Sequence, residues 1–201
     1  MQVYLRRKGT YISCATVHKY MKKMQLFSVS RRKKPGYVHG AAHKVYDNRL
    51  KQNFHAKKRN RKWCTDFTYL TLADGRKRYN CTIIDLYDRS VIASITDRKI
   101  TSDLGSQYTS REFTEFCIEK GIIQSMSKAG YPYDNAPMER YFNTLKTELI
   151  YQHHYRTETE LYSAIEEFAY VHYNHVRPHS YNNYKTPFET RYGRYKPDTK
   201  I

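Results

Sequence analysis

The stretch WCTDFTYLTLADGRKRYNCTIIDLYDRSVIASIT, residues 63–96, sets the fold class. Trp63 to Leu72 mixes aromatic, Thr and Leu residues, which suit a pleated, half-buried surface. Ala73-Asp-Gly-Arg-Lys supplies a turn, Tyr79 to Leu86 reads as a second strand, Tyr87-Asp-Arg-Ser turns again, and Val91 to Thr96 reads as a third. Tight turns between three short strands predict an antiparallel meander. Downstream the period becomes helical. Arg111 to Lys120 carries Phe113, Phe116 and Cys117 and stops at Gly121, and Ile122-Ile-Gln-Ser-Met is expected as a short strand. Asp134-Asn135 is expected to cap a helix with Pro137 in its first turn and Tyr141, Phe142, Leu145 and Leu149 on its apolar face. A last helix is predicted from about Glu158 to His172, with Leu161, Ile165, Phe168 and Ala169 inward and a capping box from Thr157 to Glu160. From Asn174 onward the Tyr-, Pro- and Arg-rich tail is expected to be mostly irregular.

Charge points to the partner. Lys plus Arg is 36 against 19 for Asp plus Glu, a net +17, which suits a polyanion better than a small neutral substrate. The 21 tyrosines can stack on bases and bond phosphates, although Tyr is also an ordinary half-buried residue. Residues 1–30 read as two helices with Ser13 as a cap, a pattern that suits a partial helix-turn-helix or a plain basic helical hairpin. Residues 31–62 read as an extended basic linker. Arg31, Arg32, Lys33 and Lys34 open it, Lys57, Lys58, Arg59 and Arg61 lie in its closing run, and both runs are expected to touch nucleic acid. A core follows over 63–192 and a tail over 193–201. Cys14, Cys64, Cys81 and Cys117 form no Cys-x-x-Cys pair, so a zinc ribbon is not expected. No apolar run reaches the ~18 residues of a membrane span and no signal-peptide core is visible, so a cytoplasmic location is expected.

Three carboxylates stand in separate contexts. Asp66 is mid-strand, Asp103 precedes a turn glycine, and Glu139 lies in a first helical turn. Each alone has a bland reading, as a turn residue or a complement to the helix dipole. Hard carboxylate oxygens converging on one sheet edge can hold divalent ions that act on a phosphodiester.

The segments Trp63-Cys-Thr-Asp-Phe-Thr-Tyr-Leu, Ser102-Asp-Leu-Gly-Ser-Gln-Tyr-Thr-Ser110, the run from Ser125 to Glu148 that contains Tyr-Asp-Asn-Ala-Pro-Met-Glu, and Tyr173-Asn-His-Val-Arg-Pro-His179 closely resemble bacterial insertion-sequence transposases of the IS-three type, over roughly residues 10–192. The resemblance implies an α/β, ribonuclease-H-like integrase core. It implies a triad of Asp66, Asp103 and Glu139, two Mg²⁺ ions (Mn²⁺ as a substitute), and strand cleavage and joining on double-stranded DNA at the element's ends and at a target. By analogy it also implies a homo-oligomer and association with the bacterial nucleoid. Lys146, two helical turns after Glu139, and Lys128 in the preceding loop are expected to contact phosphate.

The chain departs from that pattern at one place. The family sets a crossover helix and a strand between the third strand and the second aspartate, but here only residues 97–102 intervene. A parallel crossover needs a dozen or more residues, so the core is expected to lack one helix and one strand. The helix-turn-helix segment is likewise expected to be shortened. Two readings follow: an active transposase, and a DNA-binding remnant without turnover. A basic RNA-binding protein is a third, but it leaves the long motif around Glu139 unexplained.

Overall fold

A computed structural model of the chain describes residues 1–27, 47–98, 110–126 and 132–193. Asp103, Lys128, Arg31, Arg32, Lys33 and Lys34 lie outside these ranges.

The meander is present. Strands β1 (Trp63–Thr71), β2 (Lys77–Asp85) and β3 (Val91–Asp97) pair antiparallel in the order β1-β2-β3. Gly75, at φ +85°, makes the first turn in a conformation that suits glycine. In the second turn Asp85 accepts the Tyr87 N–H and Asp88 accepts the Ser90 N–H, which holds Arg89 at φ +64°. One sheet face is covered by helices. Cys64, Thr68 and Leu70 of β1 are buried on it, opposite buried Ile84, Asn80 and Arg78 in register. These are the first three strands of a ribonuclease-H-like core, and among the described residues β1 has no strand neighbour other than β2.

Helix α4 (Ala136–Glu148) lies on that face, with Met138, Tyr141 and Leu145 fully buried against Cys64, Ile84 and Leu86. Helix α5 (Glu158–Glu166) starts at the predicted capping box and buries Leu161 and Ile165 on Leu70 and Leu72. It runs on into a π-helix, Glu167–Val176, so the helical stretch ends four residues beyond His172. The π-helix closes the outer side of β3. Asn174 accepts the Val91 N–H at 2.9 Å and donates to its carbonyl at 3.0 Å, while the Tyr170 hydroxyl accepts the Ser94 N–H at 2.8 Å. Side chains thus occupy backbone groups that could template another strand. Two short helices, α1 (Gln2–Arg7) and α2 (Cys14–Lys23), precede the sheet, with Ser13 capping α2. Helix α3 (Arg111–Glu119) is capped by Ser110 and buries Cys117.

Three expectations are corrected. Residues 122–126 form no strand. Ile123 is exposed, and Ser125 instead accepts the Leu50 N–H through its hydroxyl at 3.0 Å, because a strand needs a partner ladder that the described chain does not offer there. Residues 174–193 are not irregular: the end of the π-helix and a 3-10 turn (Ser180–Asn182) lead to helix α6 (Pro187–Tyr192), which Thr186 and Glu189 cap. Arg191 anchors it on fully buried Asp88 at 2.7 Å and on fully buried Asp85. The basic stretch is not wholly extended, since Ala56 is buried in the core and Leu50 and Phe54 pack against it. Among the described residues no helix is long and apolar enough to cross a membrane.

Candidate active site

Asp66 is the fourth residue of β1 and faces Thr82 across the ladder. Period two places its side chain on the same face as buried Cys64, Thr68 and Leu70, under the helices. It is half-buried, and its Oδ1 accepts the Phe67 N–H at 2.8 Å. Burial, with the Asp66 charge adding, pushes the neighbouring Cys64 thiol up to about 11, so Cys64 is a protonated packing residue and not a thiolate ligand.

Glu139 arrives on the element that packs on β1. Asn135 stands at the start of α4, but its side chain makes no cap. It donates instead to the Thr65 carbonyl at 3.2 Å, next to Asp66. Four residues later, on the same helix face, comes Glu139. It is half-buried in the first turn, where the positive end of the helix dipole favours a carboxylate, and it makes no ion pair among the described residues. Asn135 thus ties the amino end of α4, where Glu139 lies in the first turn, to β1 at the residue before Asp66. Hard carboxylate oxygens such as those of Asp66 and Glu139 are the ligands that divalent cations such as Mg²⁺ take. Among the described residues no three His, Cys, Asp or Glu side chains gather as a metal cluster, and Asp103 lies outside them.

Lys146 is half-buried on α4, two turns from Glu139. Lys57, Lys58, Arg59 and Arg61 are exposed, and the Arg59 guanidinium lies 5.7 Å from the Tyr192 ring centre. Sequence reasoning missed the role of Asn135, because the Asp-Asn pair ahead of a helix looks like an ordinary cap. It also missed two amides, Asn48 and Gln52, that reach Asp134.

An integrase core domain model matches residues 120–187. The chain is 31% identical over 208 residues to the transposase for insertion sequence element IS904 of Lactococcus lactis, covering 91% of this chain and 82% of that protein. It is 31% identical over 217 residues to InsK of insertion sequence element IS150 of Escherichia coli, covering 96% and 76%. It is 28% identical over 202 residues to InsF of insertion sequence IS3A of Escherichia coli, covering 88% and 70%. The first alignment holds 91% of 201 residues, about 183, so about 25 of its 208 positions carry no residue of this chain. That shortfall is the size of a crossover helix with a strand. Transposases of this kind act on DNA and use divalent metal ions. Matched over most of its length by these relatives, and by the integrase core model in its second half, this chain belongs to the family of insertion-sequence transposases with an integrase core domain.

Proposed function

We propose that Asp66, Asp103 and Glu139 form the triad of this transposase and hold two Mg²⁺ ions, which Mn²⁺ can replace. The substrate is double-stranded DNA at the ends of the insertion sequence and at the target. One phosphodiester bond is hydrolysed, and the freed 3′-hydroxyl attacks another. The observation that carries this reading is the Asn135–Thr65 bond, which sets the Glu139 helix against the strand at Asp66.

Divalent ions held by these carboxylates would supply activation of the attacking oxygen and stabilisation of the leaving one. The chain's own contribution is placement. Asp66 sits in a nine-residue ladder that fixes its backbone, and Glu139 is oriented by a helix whose inner face is wholly buried. The chain length after β3 suffices for Asp103 to reach Asp66. Tyr79 pairs with Tyr69 and with Asp97, so β3 ends level with Tyr69, three residues beyond Asp66. That is ~10 Å along the sheet and ~10 Å across two strand spacings, while the six residue steps from Asp97 to Asp103 span ~20 Å. Lys128 and Lys146 contact phosphates near the carboxylates. Arg31, Arg32, Lys33, Lys34, Lys57, Lys58, Arg59 and Arg61 follow the duplex backbone. A homo-oligomer holds two DNA ends together.

One observation favours a second reading, DNA binding without turnover: about 25 aligned positions of the IS904 transposase have no counterpart here. Mg²⁺-dependent nicking of a duplex carrying an insertion-sequence end separates the two. The catalytic reading expects nicking that Asp66→Asn, Asp103→Asn and Glu139→Gln each abolish while DNA affinity persists. Folded protein that binds the duplex but never nicks it selects the second.

A further inference from the structure

We propose that Asp134 is a positioning residue, joined with Asn48 and Gln52 in a latch that sets the amino end of the helix carrying Glu139. The value of the latch for catalysis rests on the triad reading above. Asp134 is 9% exposed, and each carboxylate oxygen takes one amide: Asn48 Nδ2 donates to Oδ2 at 2.8 Å, and Gln52 Nε2 donates to Oδ1 at 2.9 Å. Both oxygens being engaged by amides marks Asp134 as scaffold and not as a further metal ligand.

The donors come from a stretch that is bent to deliver them. Lys51 and Gln52 are consecutive left-handed residues, at φ +45° and +57°, a conformation that side-chain-bearing residues avoid unless their surroundings impose it. Asn48 Oδ1 accepts the Lys51 N–H at 2.9 Å and holds the bend, so one side chain closes the turn and also donates to Asp134. Leu50, inside the same bend, packs on the core.

Asp134 and Asn135 are adjacent and anchored to different parts of the molecule, one to residues 48–52 and the other to β1 at Thr65. Two anchors at successive residues fix both the position and the rotation of the first turn of α4, and Glu139 lies in that turn. Residues 48–52 also lead into exposed Lys57, Lys58, Arg59 and Arg61, so a duplex held there bears on the latch.

The test is a reciprocal exchange of groups. Asp134→Asn sets an amide against the Asn48 amide and breaks the latch. Adding Asn48→Asp restores it with its direction reversed: the introduced amide donates to the introduced carboxylate and its oxygen still accepts from Gln52. Backbone hydrogen exchange over residues 136–142 and Mn²⁺ affinity are read in the unaltered, single and double variants. Asp134→Asn is expected to speed exchange and weaken Mn²⁺ binding, each about tenfold, and the double variant to recover both to within about twofold. Unchanged exchange in Asp134→Asn, or no recovery in the double variant, overturns the latch. Should Asp134→Asn not fold, Gln52→Met removes one donor at an exposed position, and unchanged exchange in it overturns the latch equally. No Mn²⁺ binding by the unaltered protein, with exchange behaving as expected, overturns the metal reading and supports the latch as a helix-setting device.

Discussion

Acidification from pH 7 to pH 4 will destabilise this fold through one histidine. His179 is 6% exposed, its ring edge-on to Tyr173 at 4.4 Å, with Nε2 3.3 Å from the Tyr173 carbonyl. That carbonyl takes the Nε2 proton, so an added proton must go to Nδ1 in a buried site near the Arg177 and Arg89 guanidiniums. Burial first, and then the Arg177 charge, hold its pKa down at about 4 against an ordinary 6.5; the backbone bond and Glu148 oppose this and are outweighed. Above pH 6.5 the ring is neutral in both folded and unfolded chains and contributes no pH dependence. Between 6.5 and 4 the unfolded chain takes a proton that the folded chain refuses, so stability falls by about 1.4 kcal/mol per pH unit, roughly 3 kcal/mol in all. Below about 4 both states carry the proton and this contribution levels off. Urea unfolding at half-unit steps from pH 7.5 to 4, on the unaltered chain and on His179→Gln, isolates the effect, because other titrating groups cancel in the difference. The glutamine variant is expected to be less stable at pH 7 and to gain on the unaltered chain as pH falls. A difference that stays flat across the window would refute the reasoning.

Four further outcomes follow from particular contacts. Arg191→Ala leaves two fully buried carboxylates without their guanidinium and should cost ~3–5 kcal/mol in chemical denaturation, with Arg191→Lys falling between. Asn174→Ala strands the N–H and C=O of Val91 and should cost ~2 kcal/mol, a fall in Tm of several degrees by calorimetry. Lys57→Ala combined with Lys58→Ala should reduce the slope of log affinity against log salt by ~2 for duplex DNA in fluorescence titrations, with little effect on Tm. Hydrogen bonds from Arg98 and Arg78 hold Glu158 down at about 2 against 4.5, so its contribution to stability is complete above pH 4.5 and vanishes as pH falls toward 2. Glu158→Gln should therefore lower Tm at pH 7 and match the unaltered chain near pH 2.

What was legible beforehand was what is local. The turns at Gly75 and Arg89 punctuate the meander, and Ser13 and Thr157 cap their helices through groups three residues away. The buried face of α4 follows from a period of 3.6. What was not legible depends on distant partners. The tail looked irregular because its anchor is Arg191 on Asp85 and Asp88, about a hundred residues upstream, and nothing near Arg191 announces that. Residues 47–62 looked like linker because their apolar content is sparse, yet Phe54 and Ala56 suffice once a core exists to receive them. The strand expected at Ile122 and Ile123 does not form, because β-branched residues favour extended pairing only where a neighbouring ladder is on offer. The π-helix was invisible for a different reason: over ten residues its apolar pattern is close to that of an α-helix.

The same division between local and distant causes runs through the candidate site. The backbone positions of Asp66 and Glu139 rest on β1, β2 and α4, on the buried Met138, Tyr141 and Leu145, and on the Asn135–Thr65 bond. None of these contacts involves the interval after β3, where the crossover of the family has no room. Shortening the chain there leaves the two carboxylates as well placed as the core itself. Asp103 differs, because only six residue steps separate it in sequence from the end of β3, fewer than a parallel crossover needs. Phosphoryl transfer is sensitive to displacements near 1 Å, which can lower rates ~100-fold. Binding of one divalent ion can therefore outlast catalysis. Retained affinity for DNA and metal is the expected behaviour even of a core that no longer turns over, so strand cleavage, and not binding, separates the two readings of this chain.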